Sequence, residues 1–421
     1  MGLKAIAKKV VGPEKLTKLK GIIMHRFCST MLFISHKKKM AINTQYLVLN
    51  KVYFEKDYHV FRGYYDIDYF NYDFTKILCH RLPLNNKYAI CEVGYYDRNT
   101  GEYDIIGQTK AWCWQQGSRL RWHPLNKEYI LYNDIDNNEY CTRVVDINTK
   151  RIVDTIGMPL YDINRSYTVG ISINFERLQR LRPGYGYSVF GDMTLDSKAP
   201  EDDGIFCVDL RTKECRLLFS LKELAEKVDN TLKYIHYVNH ISFSPDGNRF
   251  LFFHIYTDGS VYEWNTVLYV ADVRNGFLID LEHDDRVSHY CWIDDNRIMV
   301  TCHKKDGNEY YCNYNIETGT KEILSIEGLE TDGHPCCLMA EDEFLTDTYP
   351  LEYSKQKLLA FSKCSERTEE IASFYHDYRL RGEYRCDLHP SVSHTEKYIS
   401  VDSTYKGRRR SVVVLEQYEN I

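Results

Sequence analysis

From about Asn43 to the end of the chain, short apolar runs rich in Val, Ile, Leu, Phe and Tyr alternate with turns built from Asp, Asn, Gly, Pro and Thr. Such runs read as strands, because β-branched and aromatic side chains suit a pleated surface and the turn residues supply the reversals. Helical periodicity is confined to "LKELAEKVDNTLKYI", expected as an insertion ahead of His240, and to the first forty or so residues. "ERLQRLRPGYGYSVFGD", from Glu176, is expected to be a long loop.

The strands are organised by a repeated phrase. An apolar strand, a polar turn and a second strand recur at Asp97, Asp146, Asp209, Asp272, Asn315, Lys363 and Leu415, at steps of roughly 45 to 65 residues, in or just above the range of propeller blades. Each should be the hairpin joining the two outer strands of one sheet. Openers such as "RLRWHPLNKEYILYND", "HISFSPDGNRFLFFH", "HYCWIDDNRIMVTCH" and "HPSVSHTEKYISVDS" supply the two inner strands. The expected fold is an all-β, seven-bladed β-propeller over residues 42–421, preceded by a basic, helical extension over residues 1–41. The last blade is expected to be completed by a strand from "NTQYLVLNKVYF", since closing the ring with the opposite terminus removes both sheet edges.

Composition narrows the function. An apolar content of 43% fills a large core, and 35 tyrosines with only 10 prolines fit a sheet-rich globular chain. A net charge of −6 gives no general affinity for nucleic acid, which needs a concentrated basic face. The cysteines stand singly apart from Cys336 and Cys337, which points to a reducing compartment. The stretch "GIIMHRFCSTMLFIS" is broken by His25 and Arg26 and is too short to span a bilayer. A cytoplasmic location is therefore expected. The first residues carry Lys4, Lys8, Lys9, Lys15, Lys18 and Lys20 against Glu14. Such a segment either packs as a solvated helix on the main domain or lies peripherally on the anionic inner membrane face.

Candidate chemistry gathers at blade openings. His240, His289, His334 and His389 each stand at or just before a first strand, and first strands line a propeller's channel. Four imidazoles with Asp387 would make a trap for a divalent cation; the competing reading is that they hydrogen-bond backbone between blades. Arg119, Arg121, Arg177, Arg180 and Arg182 are candidates for clasping an acidic oligosaccharide or polysaccharide through bidentate pairs. Tyr185, between Gly184 and Gly186, suits a loop that lays a ring against a sugar face.

The blade phrases resemble Tol-type propellers, and the second half of the chain, from about Asn239, resembles the oligogalacturonate lyases, a family of seven-bladed propellers. "DLHPSVSHTEKYISVDSTYKGRRRSVVV" corresponds to the family's final blade, and "HISFSPDGNRFLFFH", "SHYCWIDDNRIMVTCH" and "YHDYRLRGEYRCDLHP" fall in family order. In the first half, "AWCWQQGSRLRWHP" and "FERLQRLRPGYGYS" resemble bacterial polysaccharide-associated propellers. The lyase resemblance implies manganese bound by a blade-opening histidine and by a final Gln-x-x-His-x-His phrase, with a further histidine as the base. By position these are His289 and His389 as ligands and His240 as base. Tyr384 and Asp387 stand where the phrase has glutamine and histidine. The implied activity is metal-assisted β-elimination on uronate oligosaccharides; the alternative is a non-catalytic propeller that binds glycan or protein during bacterial surface-polysaccharide production.

Overall fold

The computed structural model describes residues 13–34, 38–84, 89–229, 232–260, 263–338 and 342–418. Seven antiparallel sheets follow one another along the chain as the blades of a propeller. In the first blade the strands Tyr58–Phe61, Lys76–Pro83, Cys91–Asp97 and Tyr103–Thr109 pair in chain order from the axis outward. The innermost strand of each blade begins at one end of the channel, called here the upper end. The loops between second and third strands, and those joining consecutive blades, lie at that end too.

The repeated phrase has a physical cause in the outer hairpins. At Asp97, Asp146, Asp209, Asp272 and Asn315 the side-chain Oδ1 accepts hydrogen bonds from the backbone N–H groups two and three residues on. A short polar side chain that satisfies the turn's own backbone is favoured there over any apolar one. Lys363 likewise sits in an outer hairpin, between Lys355–Ser362 and Glu369–Tyr375. The seventh position differs: Leu415 lies within a third strand, Ser411–Gln417, with no hairpin after it. Its outer partner is Leu47–Tyr53 from the other end of the chain. The expected closure of the last blade is therefore present, and it leaves that blade with four paired strands.

The propeller also takes in residues before Ile42. Met40–Ile42 adds a fifth strand to the sixth blade by pairing with Glu369–Tyr375. Ahead of it, helix α1 (Pro13–Ile34) is the expected basic helix; Lys4, Lys8 and Lys9 lie outside the described residues. Helix α3 (Leu221–Val228) is the insertion expected ahead of His240 and starts with a capping box between Ser220 and Glu223. The segment from Glu176 differs from expectation. Its first turns form helix α2 (Phe175–Leu181), started by Asn174, whose side chain accepts from the Arg177 N–H. With fewer than two turns, it carries too little periodicity to be read from sequence.

The core runs through the middle strands, where sheets pack face to face. Arg249–Thr257 and Ser411–Gln417 are buried along nearly their whole length, which is why their sequences are continuous apolar runs and do not alternate. One buried polar residue holds the first two blades together. His80 accepts from the Ser118 backbone N–H at Nε2, 2.9 Å, so its Nδ1–H donates to the Arg62 carbonyl at 2.8 Å. Burial pulls its pKa down to about 4, keeping that neutral tautomer in place.

The closing strand can be tested at Leu47, which is wholly buried beside Leu415 in the core between the sixth and seventh blades. Leu47→Ala should cost about 2–5 kcal/mol, as for large-to-small changes in packed cores, read as a fall in urea denaturation midpoint. A change no larger than that of an exposed control such as Leu125→Ala would mean the strand does not close the ring.

Candidate metal centre

Three histidines and a carboxylate meet near the axis at the upper end. The His334 ring lies between the others, its centroid 4.0 Å from that of His289 and 4.5 Å from that of His389. One ligand atom from each of His334, Asp387 and His389 falls within 4.8 Å of the other two. All three residues are buried.

Local backbone irregularity aims these side chains. The strand Ile235–Phe243 breaks register between Asn239 and Ser242, and His240 inside that bulge adopts φ +55°. His389, just before the strand Ser391–Val392, has φ +46°. The strand carrying His289 shifts register between Val287 and His289. Bulges and left-handed non-glycine residues cost energy, and they persist where surrounding bonds over-determine them.

Those bonds are visible. Asp347 Oδ1 accepts from both the backbone N–H and the Nδ1 of His334, each at 2.8 Å, while its Oδ2 accepts from the His389 backbone N–H at 3.1 Å. His389 Nδ1 donates to the Gly63 carbonyl at 2.8 Å. His289 Nδ1 is 2.9 Å from Asp332. With Nδ1–H donated outward, the lone pair of each ring rests on Nε2, the arrangement that metal-binding histidines require. The Nε2 atoms of His334 and His389 are buried without a hydrogen-bond partner. Two orphaned imidazole nitrogens beside a carboxylate fit a divalent cation.

Charge is finely divided here. Burial alone would lift the Asp387 carboxyl, but Arg385, held at 2.7 and 2.8 Å, and the two imidazoles pull it well below its ordinary range. Burial would lower His334, yet Asp347, with Asp387 and Asp332 beyond, outweighs it and the net shift is upward. Burial and the nearby His334 hold His389 well down.

His240 stands next to this group without joining it, its ring 5.8 Å from His289 and its Nδ1 3.1 Å from the Tyr64 hydroxyl. Burial, then the neighbouring His289, keeps it neutral. Tyr64 and Tyr65 pack against the histidine rings and plug the channel beneath them. Tyr65 also lines a cavity of about 480 Å³ that opens toward the lower end, among Arg121, Asp162, Trp292 and Cys336.

The expected arginines divide. Arg119 is buried in a bidentate pair with Asp66, and Arg121 is bound to Asp162 and the Tyr161 carbonyl. Arg177 is buried and donates to the carbonyls of His236, Thr194, Ser197 and Lys198, and Arg180 pairs with Asp192. These four brace the blades and the α2 insertion; Arg119, Arg121 and Arg177 are engaged within the protein, while Arg180 keeps one buried terminal nitrogen without a partner. Arg182 and Tyr185 are placed otherwise. The insertion carries them over the upper end, where Tyr185 faces His240 with ring centroids 5.9 Å apart and its hydroxyl has no partner. Arg182 stacks 4.1 Å from Trp264, which Arg286 also approaches at 4.6 Å, and neither Nε has a partner.

Sequence reasoning missed Arg286, Arg385, Asp332, Asp347, Tyr64 and Trp264. Asp332 and Arg385 each sit two residues before a predicted ligand, a spacing that was a usable signal; Asp347 and Trp264 reach the site from other strands and loops, so nothing local marks them.

A seven-bladed propeller with a histidine-lined channel and a candidate cation site is thus the class that fold and geometry define. Among solved structures it is similar to an oligogalacturonate lyase in complex with manganese, at 14% identity and TM-score 0.62, over 91% of this chain and 98% of that one. It is similar to the oligogalacturonate lyase of Vibrio parahaemolyticus at 13% identity and TM-score 0.61, over 90% and 97%. A chain of a mitotic checkpoint complex matches at 9% identity and TM-score 0.50, over 90% and 94%. These likenesses carry the fold. No protein-family model matches the chain, and none of the curated proteins matches it.

A titration tests the carboxylate network behind His289. Burial and the nearby Arg286 would lower the pKa of His303, but the carboxylates of Asp332 and Glu309, 3.2 and 3.1 Å from its two ring nitrogens, outweigh them and hold it at about 9. A pKa raised above the unfolded value of about 6.5 contributes stability that is complete below pH ~6.5 and lost as pH rises through about 9. Urea midpoints should therefore fall across that window, and His303→Gln should flatten the fall. Identical slopes for both proteins would show that His303 is not held charged.

Proposed function

We propose that the protein acts on acidic, uronate-containing oligosaccharides by metal-assisted β-elimination. The observation that carries this reading is the pair of buried, unpartnered Nε2 atoms of His334 and His389 beside Asp387. The similarity in fold to a manganese-bound oligogalacturonate lyase supports it. His334, Asp387 and His389 would hold the ion, with His289 beside them. A divalent cation held there would neutralise a uronate carboxylate and so acidify the adjacent C–H.

The remaining roles belong to this chain's own residues. His240 is the base. Acting so requires the tautomer whose Nδ1–H is donated to Tyr64, leaving Nε2 to take the proton. The depressed pKa of His240 keeps that nitrogen free. Arg182 and Arg286, stacked on Trp264 at the upper end, supply positive charge for further carboxylates of the oligomer. Tyr185 offers both a ring and an unpartnered hydroxyl to a sugar face. The burial of His240, His289, His334 and His389 favours a second reading, in which Arg182, Arg286 and Tyr185 bind an acidic glycan without turnover.

Metal analysis and an ultraviolet assay for unsaturated products separate the two. The purified protein should carry a divalent ion and produce an absorbance rise on uronate oligomers. His240→Ala should lower the rate about 10²- to 10⁴-fold with metal content unchanged, whereas His389→Ala should release the metal and weaken binding of acidic sugars. Glycan binding by a metal-free parent with no absorbance rise would leave the binding reading standing and remove the enzymatic one.

A further inference from the structure

Among its described side chains, helix α1 meets the propeller through one face. Cys28 and Leu32 are buried, with Met24 beside them, against Tyr375, Tyr353 and Tyr405 of the sixth and seventh blades. His25 fixes the contact: its Nδ1 lies 2.8 Å from the Tyr375 hydroxyl and 3.3 Å from Asp377. The opposite face carries Ile22, Ile23 and Phe27, exposed by 44%, 57% and 55%. Exposed Lys20 and Arg26 border them. Spacings of three and four residues put Lys20, Ile23 and Phe27 on one helical stripe. Large apolar side chains left bare on a helix already docked by its other side have no role in the fold.

Charge says what that face meets. Residues 1–41 hold ten Lys and Arg against one acid, a net +9, so the remaining chain carries −15 of the total −6. A basic segment on an otherwise acidic body is set up for an extended anionic surface. Apolar side chains between the cations favour a surface with a hydrocarbon interior over a purely polar polyanion such as nucleic acid. No helix among the described residues is long and apolar enough to cross a membrane, so the helix would lie along the surface.

We propose that the outer face of helix α1, with its flanking basic residues, docks on an anionic lipid bilayer and turns the upper end of the channel toward it. The orientation follows from where the helix sits. Tyr375 ends the fourth strand of the sixth blade, and Asp377 opens the loop that leads to Asp387 and His389. Docking therefore holds the candidate metal centre near the headgroups, where a lipid-linked or surface-bound acidic glycan would present its sugars. That last consequence rests on the proposed function; the docking does not.

Sedimentation of the full chain with vesicles tests the docking. Vesicles of phosphatidylcholine with about one-third phosphatidylserine should retain the protein at low salt, and phosphatidylcholine alone should not. Retention should fall as salt rises, because the basic contacts are screened. Each cation near such a surface is worth about fivefold in partitioning. Lys20→Gln, Arg26→Gln and Lys38→Gln together should then cost about a hundredfold, and Ile23→Ser with Phe27→Ser should abolish retention at unchanged thermal stability. On vesicles, amide exchange should slow in residues 20–30 and 378–385 and stay unchanged in residues 163–168 and 244–248 at the lower end. Equal retention by both vesicle types, or none by either, overturns the proposal. So does a dimer that dissolves with the Ile23 and Phe27 substitutions while vesicles bind nothing, or binding of duplex DNA in place of vesicles. Protection at the lower end would overturn the orientation. Elimination activity in solution is read separately, so the failure of either reading leaves the other measurable.

Discussion

A single guanidinium ties the start of the propeller to its end. Arg62, fully buried, donates from its backbone N–H and Nε to Asp402, from one terminal nitrogen to Ser400, and from the other to the carbonyls of Leu388 and His389. The first and last blades are therefore joined at the channel as well as at the rim, where Leu47–Tyr53 completes the last sheet. Buried ion pairs contribute little net stability, because desolvation offsets attraction, but stranding either partner is costly. The pair's consequence is positional. It holds the backbone carbonyls on either side of His389 while Gly63, the next residue along from Arg62, takes the His389 ring.

From that joint the centre is assembled by carboxylates that are not themselves ligands. Asp347 reaches from the sixth blade to two histidines at once, and Asp332 links His289 to Ser288 and Thr301. Each buried carboxylate orients an imidazole and raises that ring's proton affinity against burial, which prevails at His289 and is outweighed at His334. The strained φ of His389 is maintained by the Asp347 bond, and that of His240 by its bonds to the hydroxyls of Tyr161 and Tyr64, not by local preference. A ring of blades suits this, since His289, His334 and the pair Asp387 and His389 come from three consecutive blades and none can shift without disturbing a neighbour.

This division explains what the sequence revealed. Blade number, outer hairpins and the closing strand were legible because each depends on short-range chemistry: an Asp or Asn that satisfies its own turn, or an apolar run of strand length. His334, His389 and Asp387 were legible because blade openings have a fixed place relative to the axis. Arg119, Arg121, Arg177 and Arg180 were not, since an arginine looks the same in sequence whether it faces a ligand or, as here, backbone carbonyls and aspartates of adjacent segments. Asp347 and Trp264 escaped notice because their partners lie in other blades or insertions. Helix α2 was too short to show a period.

The departures at Tyr384 and Asp387 alter the site's electrostatics. The lyase phrase offers a neutral amide and a neutral imidazole at those positions; here the amide position holds a half-exposed tyrosine and the imidazole position a carboxylate. Asp387 brings a full negative charge next to His334 and His389, and Arg385 returns a positive one by direct contact. A cation bound there would have part of its charge met by Asp387 before any substrate arrived, which lowers its pull on a uronate carboxylate relative to a site of neutral donors. Arg385 sets the balance: while it grips Asp387, less of the carboxylate's charge is directed at the ion. The proposed chemistry therefore depends on a guanidinium absent from the ligand phrase, and Arg182 and Arg286 become the more important for holding an acidic chain.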